Sequence, residues 1–170
     1  GYWVDSFDLQ VVRSPNEVKN HLGGKARWAV LAEPAPATDR LGDYDPPAVT
    51  ARLDYARAVK TPYEIACMTS ATTAGVRAHR AAEIGFRAGA SEYEIHLAYC
   101  RAAGAREEEL PYNNIIAFDT HAAVLHYQVL DRSRPAGVKS FLIDAGAQHA
   151  GYACDITRTY ASAPGEFHDL

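Results

Sequence analysis

The chain has 170 residues, 48% of them hydrophobic, and a formal net charge of −4. That length bounds the fold at one domain, or one domain with part of another. Lys and Arg are scattered and form no basic stripe, which argues against nucleic-acid binding, and no apolar run reaches the ~18 residues that a membrane span requires. The chain does not begin with Met and shows no signal peptide, so either Met is removed or these residues start inside a longer polypeptide. Cys67, Cys100 and Cys154 are odd in number, widely spaced and without a CxxC pair. This argues against a disulfide framework or a cysteine zinc site. They are expected to be small buried apolar residues, and a reducing, cytoplasmic setting suits them.

In chain order, LQVVR (9–13) and RWAVLA (27–32) predict short strands. The Pro-rich stretch 32–47 predicts a break in regular structure and a linker, and 48–60 a short helix leading out of it. TPYE at 61–64 is a helix start: Thr61 caps, Pro62 takes the first position and Glu64 completes a capping box. That helix is expected to run to about Phe86, with Ile65, Met68, Thr72 and Val76 on one face. SEYE at 91–94 repeats the signature for a second helix, stopped by Gly104. Glu107, Glu108 and Glu109 read as a solvated loop. Strands are expected at 114–118, 123–127, 140–146 and 151–160. Helices followed by strands predict an α+β fold, with the helix pair covering a sheet.

Residues 144–160, DAGAQHAGYACDITRTY, carry Asp144 and Asp155 within apparent strands. A turn centred on His149-Ala150 would pair Asp144 directly with Asp155. Strand alternation would then place Leu142, Asp144, Ala153, Asp155, Thr157 and Thr159 on one face, and Phe141, Ile143, Cys154, Ile156 and Tyr160 on a core face. Three readings stand for the carboxylates. They face two divalent ions ~3.5–4 Å apart, they share a proton as a dyad, or they are an exposed pair neutralised by Arg158 or Lys139. Oxygen ligation of this kind suits Mn²⁺ or Mg²⁺, with Zn²⁺ or Co²⁺ as other candidates.

The same stretch resembles the metal-binding hairpin of the pita-bread metallopeptidases. TPYEIACM, HRAAEIGFRAGASEYEIHLAY, LPYNNIIAFDTHAAVLHYQ and SFLIDAGAQHAGYACDITRTY resemble its bacterial Xaa-Pro dipeptidase (prolidase) branch, from about Tyr55 to Tyr160. The resemblance implies an α+β, partial pita-bread (creatinase/aminopeptidase-like) fold. Residues 1–50 would be the end of a smaller α/β N-terminal domain plus linker, and 51–170 the first half of the metallopeptidase domain. It implies two divalent metal ions, Mn²⁺ in the prolidase branch, with Asp144 and Asp155 as the first two of five ligands. His126 would face the substrate, and Thr157 is placed to support a ligating carboxylate. The remaining His and two Glu ligands would lie beyond Leu170, so these residues resemble a fragment lacking the C-terminal half. The implied activity is hydrolysis of Xaa-Pro dipeptides by a water activated between two metals. The alternatives are a non-catalytic fragment that acts only by association, or phosphotriester hydrolysis as a side activity. A cytoplasmic enzyme, often a homodimer, with no nucleic-acid or membrane partner completes the expectation.

Overall fold

The computed structural model describes residues 42–165 continuously, together with 28–31 and positions 11, 13, 14, 17, 21 and 168. The chain divides into two compact units, Gly1–Val59 and Lys60–Leu170. In the first, β1 (Trp28–Val30) pairs in parallel with β2 (Gly42–Tyr44). β1 lies inside the strand expected at 27–32, whereas LQVVR falls largely outside the described residues. β2 forms within the stretch expected to lack regular structure. Its prolines, Pro34, Pro36, Pro46 and Pro47, all lie outside Gly42–Tyr44, so the strand keeps its main-chain N–H donors. Helix α1 (Pro47–Ala58) follows, with proline in its first turn.

The second unit opens with α2 (Pro62–Arg87), started by the expected capping box. Thr61 Oγ1 accepts from Glu64 N at 3.3 Å and Glu64 Oε2 accepts from Thr61 N at 2.7 Å. Ser91 and Glu94 do the same for α3 (Glu92–Ala103), which ends at Gly104 with φ 75°. Beyond them β3 (Ile115–Phe118), β4 (Ser140–Ala145) and β7 (Ile156–Ala161) form an antiparallel sheet in the order β3-β4-β7. Alternation along β4 buries Phe141, Ile143 and Ala145 against both helices. The Phe141 ring is central, with Phe86, Phe118 and Tyr160 at centroid distances of 5.1, 5.8 and 5.6 Å. The arrangement is α+β, with helices covering an antiparallel sheet. Among the described residues no helix is long and apolar enough to cross a membrane.

Ile65, Met68 and Val76 do share a face of α2, but it is the outer one: Ile65 is 53% exposed and Val76 39%. The buried face is made mostly of small residues, Cys67, Ala71, Gly75, Ala78 and Ala82, with His79 and Phe86 as its larger members. Small side chains let the helix lie close to the hairpin; a Cβ on Gly75 would stand 2.6 Å from Cys154 Sγ. All three cysteines are free and buried, as expected.

Two strand expectations are corrected. Residues 123–127 do not form a strand. Asp119–Ala123 is a 3₁₀ turn, and Asp119 and His126 have φ of 46° and 54°, which an extended ladder cannot accommodate. Asp119 Oδ1 instead takes the Lys139 and Ser140 N–H groups, at 2.9 and 2.8 Å, a local alternative to strand pairing. Residues 151–160 break in two: β5 (Gln148–His149) pairs with β6 (Tyr152–Ala153), and β7 begins only at Ile156. The turn is Ala150-Gly151, with φ of 50° and 82°. Positive φ at both central residues is the primed geometry that joins twisted strands, and Gly151 adopts it without steric cost. The register therefore moves by two residues. Gln148 faces Ala153, and Asp144 faces Thr157 rather than Asp155.

Candidate metal centre

With that register, strand pairing alone does not set the two aspartates opposite each other. The break before β7 brings them together. Cys154 is buried there: its N–H donates to Ala147 O at 2.9 Å and its Sγ reaches Ala71 O of α2 at 3.4 Å. This anchor leaves Asp155 on the outer side, exposed, beside the half-buried Asp144. Tyr112, just before β3, lies between them. Its hydroxyl is 2.7 Å from Asp155 Oδ1 and 3.0 Å from Asp144 Oδ1.

A phenol has one hydrogen to donate, and here two carboxylates compete for it. The shorter contact, to Asp155, has the length of a charge-assisted bond. Burial, then the hydrogen bonds to Asp155 and Asp144, push the Tyr112 hydroxyl far above its ordinary pKa, so it stays a donor. One proton between two carboxylates leaves negative charge that a cation would offset. Both contacts use Oδ1 atoms, and the Oδ2 atoms accept no hydrogen bond among the described residues. The donor set is all oxygen and fits a hard divalent ion. It is only part of a coordination sphere: among the described residues no third His, Cys, Asp or Glu joins the pair.

Behind β4, the buried His79 places Nε2 3.1 Å from Ala145 O. Burial holds its pKa below the ordinary value, against the raising effect of that bond. A carbonyl oxygen only accepts, so Nε2–H is the donor, and it pins the strand next to Asp144. Thr157 stands opposite Asp144, exposed, with no hydroxyl bond to either carboxylate. His126 is exposed on the segment after β3 and bonds to neither aspartate. The Glu107–Glu109 run is an exposed 3₁₀ turn in which Glu109 pairs with Arg106 at 3.0 Å.

The family model for metallopeptidase family M24 matches residues 66–169. The chain belongs to metallopeptidase family M24. The M24 match takes in α3, the sheet, both aspartates and all of α2 after its first turn. The chain is 51% identical to the Xaa-Pro dipeptidase of Stenotrophomonas maltophilia over 163 residues, 95% of this chain and 37% of that protein. It is 51% identical to the Xaa-Pro dipeptidase of Xanthomonas campestris pv. campestris over 172 aligned residues, 100% of this chain and 39% of the relative. The chain thus spans well under half the length of these curated relatives. Among solved structures, zinc-substituted Escherichia coli aminopeptidase P in complex with product matches with TM-score 0.57 and 29% identity, covering 64% of this chain and 25% of that one. A histidine-to-alanine variant of the same enzyme matches with TM-score 0.69 over 91% of this chain and 39% of that one; at 22% identity this likeness concerns fold alone. The M24 chain therefore carries part of the pita-bread fold.

Tyr112 has no counterpart among the residues expected at the site. LPYNN is conspicuous in sequence, but only the pairing of β3 beside β4 reveals where its tyrosine points. Tyr112→Phe is expected to weaken binding of a divalent ion ~10–100-fold, the range for residues that orient metal ligands, with little change in melting temperature. Titration calorimetry with the metal checks this; unchanged affinity would show that Tyr112 does not orient the carboxylates.

Proposed function

We propose that this M24 chain is part of a Xaa-Pro dipeptidase whose Asp144 and Asp155 hold two divalent ions, Mn²⁺ by preference. The observation that carries the reading is the convergence of both carboxylates on one phenol through Oδ1, with Oδ2 accepting no hydrogen bond among the described residues. The 51% identity to Xaa-Pro dipeptidases supports the substrate class. When bound, the metals supply an activated water and a Lewis acid for the scissile carbonyl. The protein's own residues do the rest. Tyr112 steadies the ligating carboxylates, Thr157 stands across the ladder from Asp144, where its hydroxyl can reach that carboxylate once a metal is bound, and His126 hydrogen-bonds the substrate where charge develops. An Xaa-Pro bond is a tertiary amide without N–H, so recognition relies on a dedicated pocket for the ring. We also read the enzyme as a cytoplasmic homodimer; the three reduced, buried cysteines favour a reducing compartment.

The test is hydrolysis by the full-length protein of Xaa-Pro dipeptides against Xaa-Ala dipeptides, longer peptides and a phosphotriester. Cleavage restricted to Xaa-Pro dipeptides, lost in chelator and restored by Mn²⁺, is expected. Metal binding without cleavage would indicate a non-catalytic role, and faster turnover of the phosphotriester would move the assignment to that reaction.

A further inference from the structure

Glu92 is fully buried at the start of α3, yet its carboxylate serves no helix cap. Oε1 accepts from Phe118 N at 2.9 Å and contacts His121 Nδ1 at 2.7 Å. Oε2 accepts from Tyr127 Oη–H at 2.7 Å and Asp131 N at 2.8 Å. The His121 ring stacks on that of Tyr127, with centroids 4.7 Å apart. One carboxylate thus grips both ends and two interior side chains of the segment between Phe118 and Asp131. A return bond from Tyr93 N to Asp131 O, 3.1 Å, closes the far end onto α3.

The gripped segment is irregular. Asp119, His126 and Leu130 all have positive φ, between 46° and 54°. Non-glycine residues take that conformation seldom and keep it where the surroundings over-determine it. A buried carboxylate also needs compensation, and here four donors supply it. Such an arrangement is a fixed node, and the segment it fixes carries His126.

We propose that Glu92 is a positioning residue that sets the conformation of residues 118–131 and thereby the placement of His126. The proposal rests on the reading of His126 as the residue that faces substrate. Glutamine cannot replace Glu92. Each oxygen holds one main-chain N–H, so in either orientation the amide NH₂ confronts an obligatory donor.

The experiment uses the full-length protein with Mn²⁺ and the variants Glu92→Gln, Tyr127→Phe, His126→Ala and Glu92→Gln/His126→Ala. Hydrogen exchange is read in residues 118–131, and kcat and KM on an Xaa-Pro dipeptide. Glu92→Gln is expected to speed exchange in 118–131 while sparing α2 and the β4–β7 hairpin. It should lower kcat on the order of 10²-fold, the scale of a displacement near 1 Å, with KM little changed. The double variant should be no slower than His126→Ala, because both changes act through one group. Multiplicative losses, or unchanged exchange in 118–131, would overturn the proposal. Should Glu92→Gln not fold, Tyr127→Phe removes one donor and keeps the ring; unaltered exchange and kcat in that variant would overturn it equally. Wild-type kcat in His126→Ala would instead sink the reading of His126, and the positioning role with it.

Discussion

Asp155→Asn in the full-length protein is expected to lose Mn²⁺ binding and Xaa-Pro hydrolysis together, by more than the ~100-fold that loss of an outer partner can cost. The substitution preserves shape. The Asn carbonyl still accepts from Tyr112, 2.7 Å away in the native pair, so the hairpin should keep its place and the melting temperature should stay near that of the native protein. What is removed is the charge and one of two free oxygen donors. Asp144→Asn should behave alike, since Asp144 meets the same phenol at 3.0 Å. Metal content and turnover measured on the same samples separate the three readings of the carboxylates. Loss of both supports a metal pair, loss of turnover at unchanged metal content supports a proton-sharing dyad, and no change in either leaves an exposed pair without function.

Gly146→Ala should damage stability and metal binding at once. Gly146 lies just past β4, with no room on its Cα. A Cβ there would strike the Cys154 carbonyl and stand 2.8 Å from Pro111 Cγ and 2.9 Å from Tyr112 Cε1. The carbonyl is main chain and belongs to the residue that anchors the break before Asp155, so it has little freedom to yield. Overpacking of this kind costs about 1–3 kcal/mol. The strain falls on Tyr112 and on the backbone preceding Asp155, so Mn²⁺ affinity should drop more than the stability loss alone explains. Urea denaturation and metal titration read the two effects separately. A variant with native stability and native affinity would show that the close approach is absent in solution.

Where the chain carried its own local chemistry, the fold was legible in the sequence. Thr61-Glu64, Ser91-Glu94 and Gly104 signalled helix ends because capping depends on residues three or four apart. Asp144 and Asp155 were legible as a pair because so many oxygen donors are rare in a strand-like stretch. Register was less legible. His149-Ala150 and Ala150-Gly151 differ by one residue, and only the backbone preference of Gly151 for positive φ separates them. The strand expected at 123–127 failed for a similar reason: the run is apolar and strand-like in composition, but Asp119 bonds to Lys139 and Ser140, 20 and 21 residues away. Tyr112 and Glu92 were the least legible. Their roles depend on partners 26 to 43 residues distant, and Glu92 sits inside a capping motif that already explained its neighbours.

Glu64 bonds Tyr152 across 88 residues of sequence, and Cys154 reaches Ala71 across 83. These separations bear on the order of assembly. A two-residue hairpin closes in roughly 1–10 μs, and the capping box at Thr61 is equally local. The contacts that join them are among the most remote of the described residues and must overcome the entropy of closing long loops. A hairpin formed but undocked has no α2 behind Cys154, so Asp155 is not yet held toward Tyr112. The convergence of the two carboxylates on Tyr112 is thus tied to the docking of helix against hairpin, a long-range event rather than a local one.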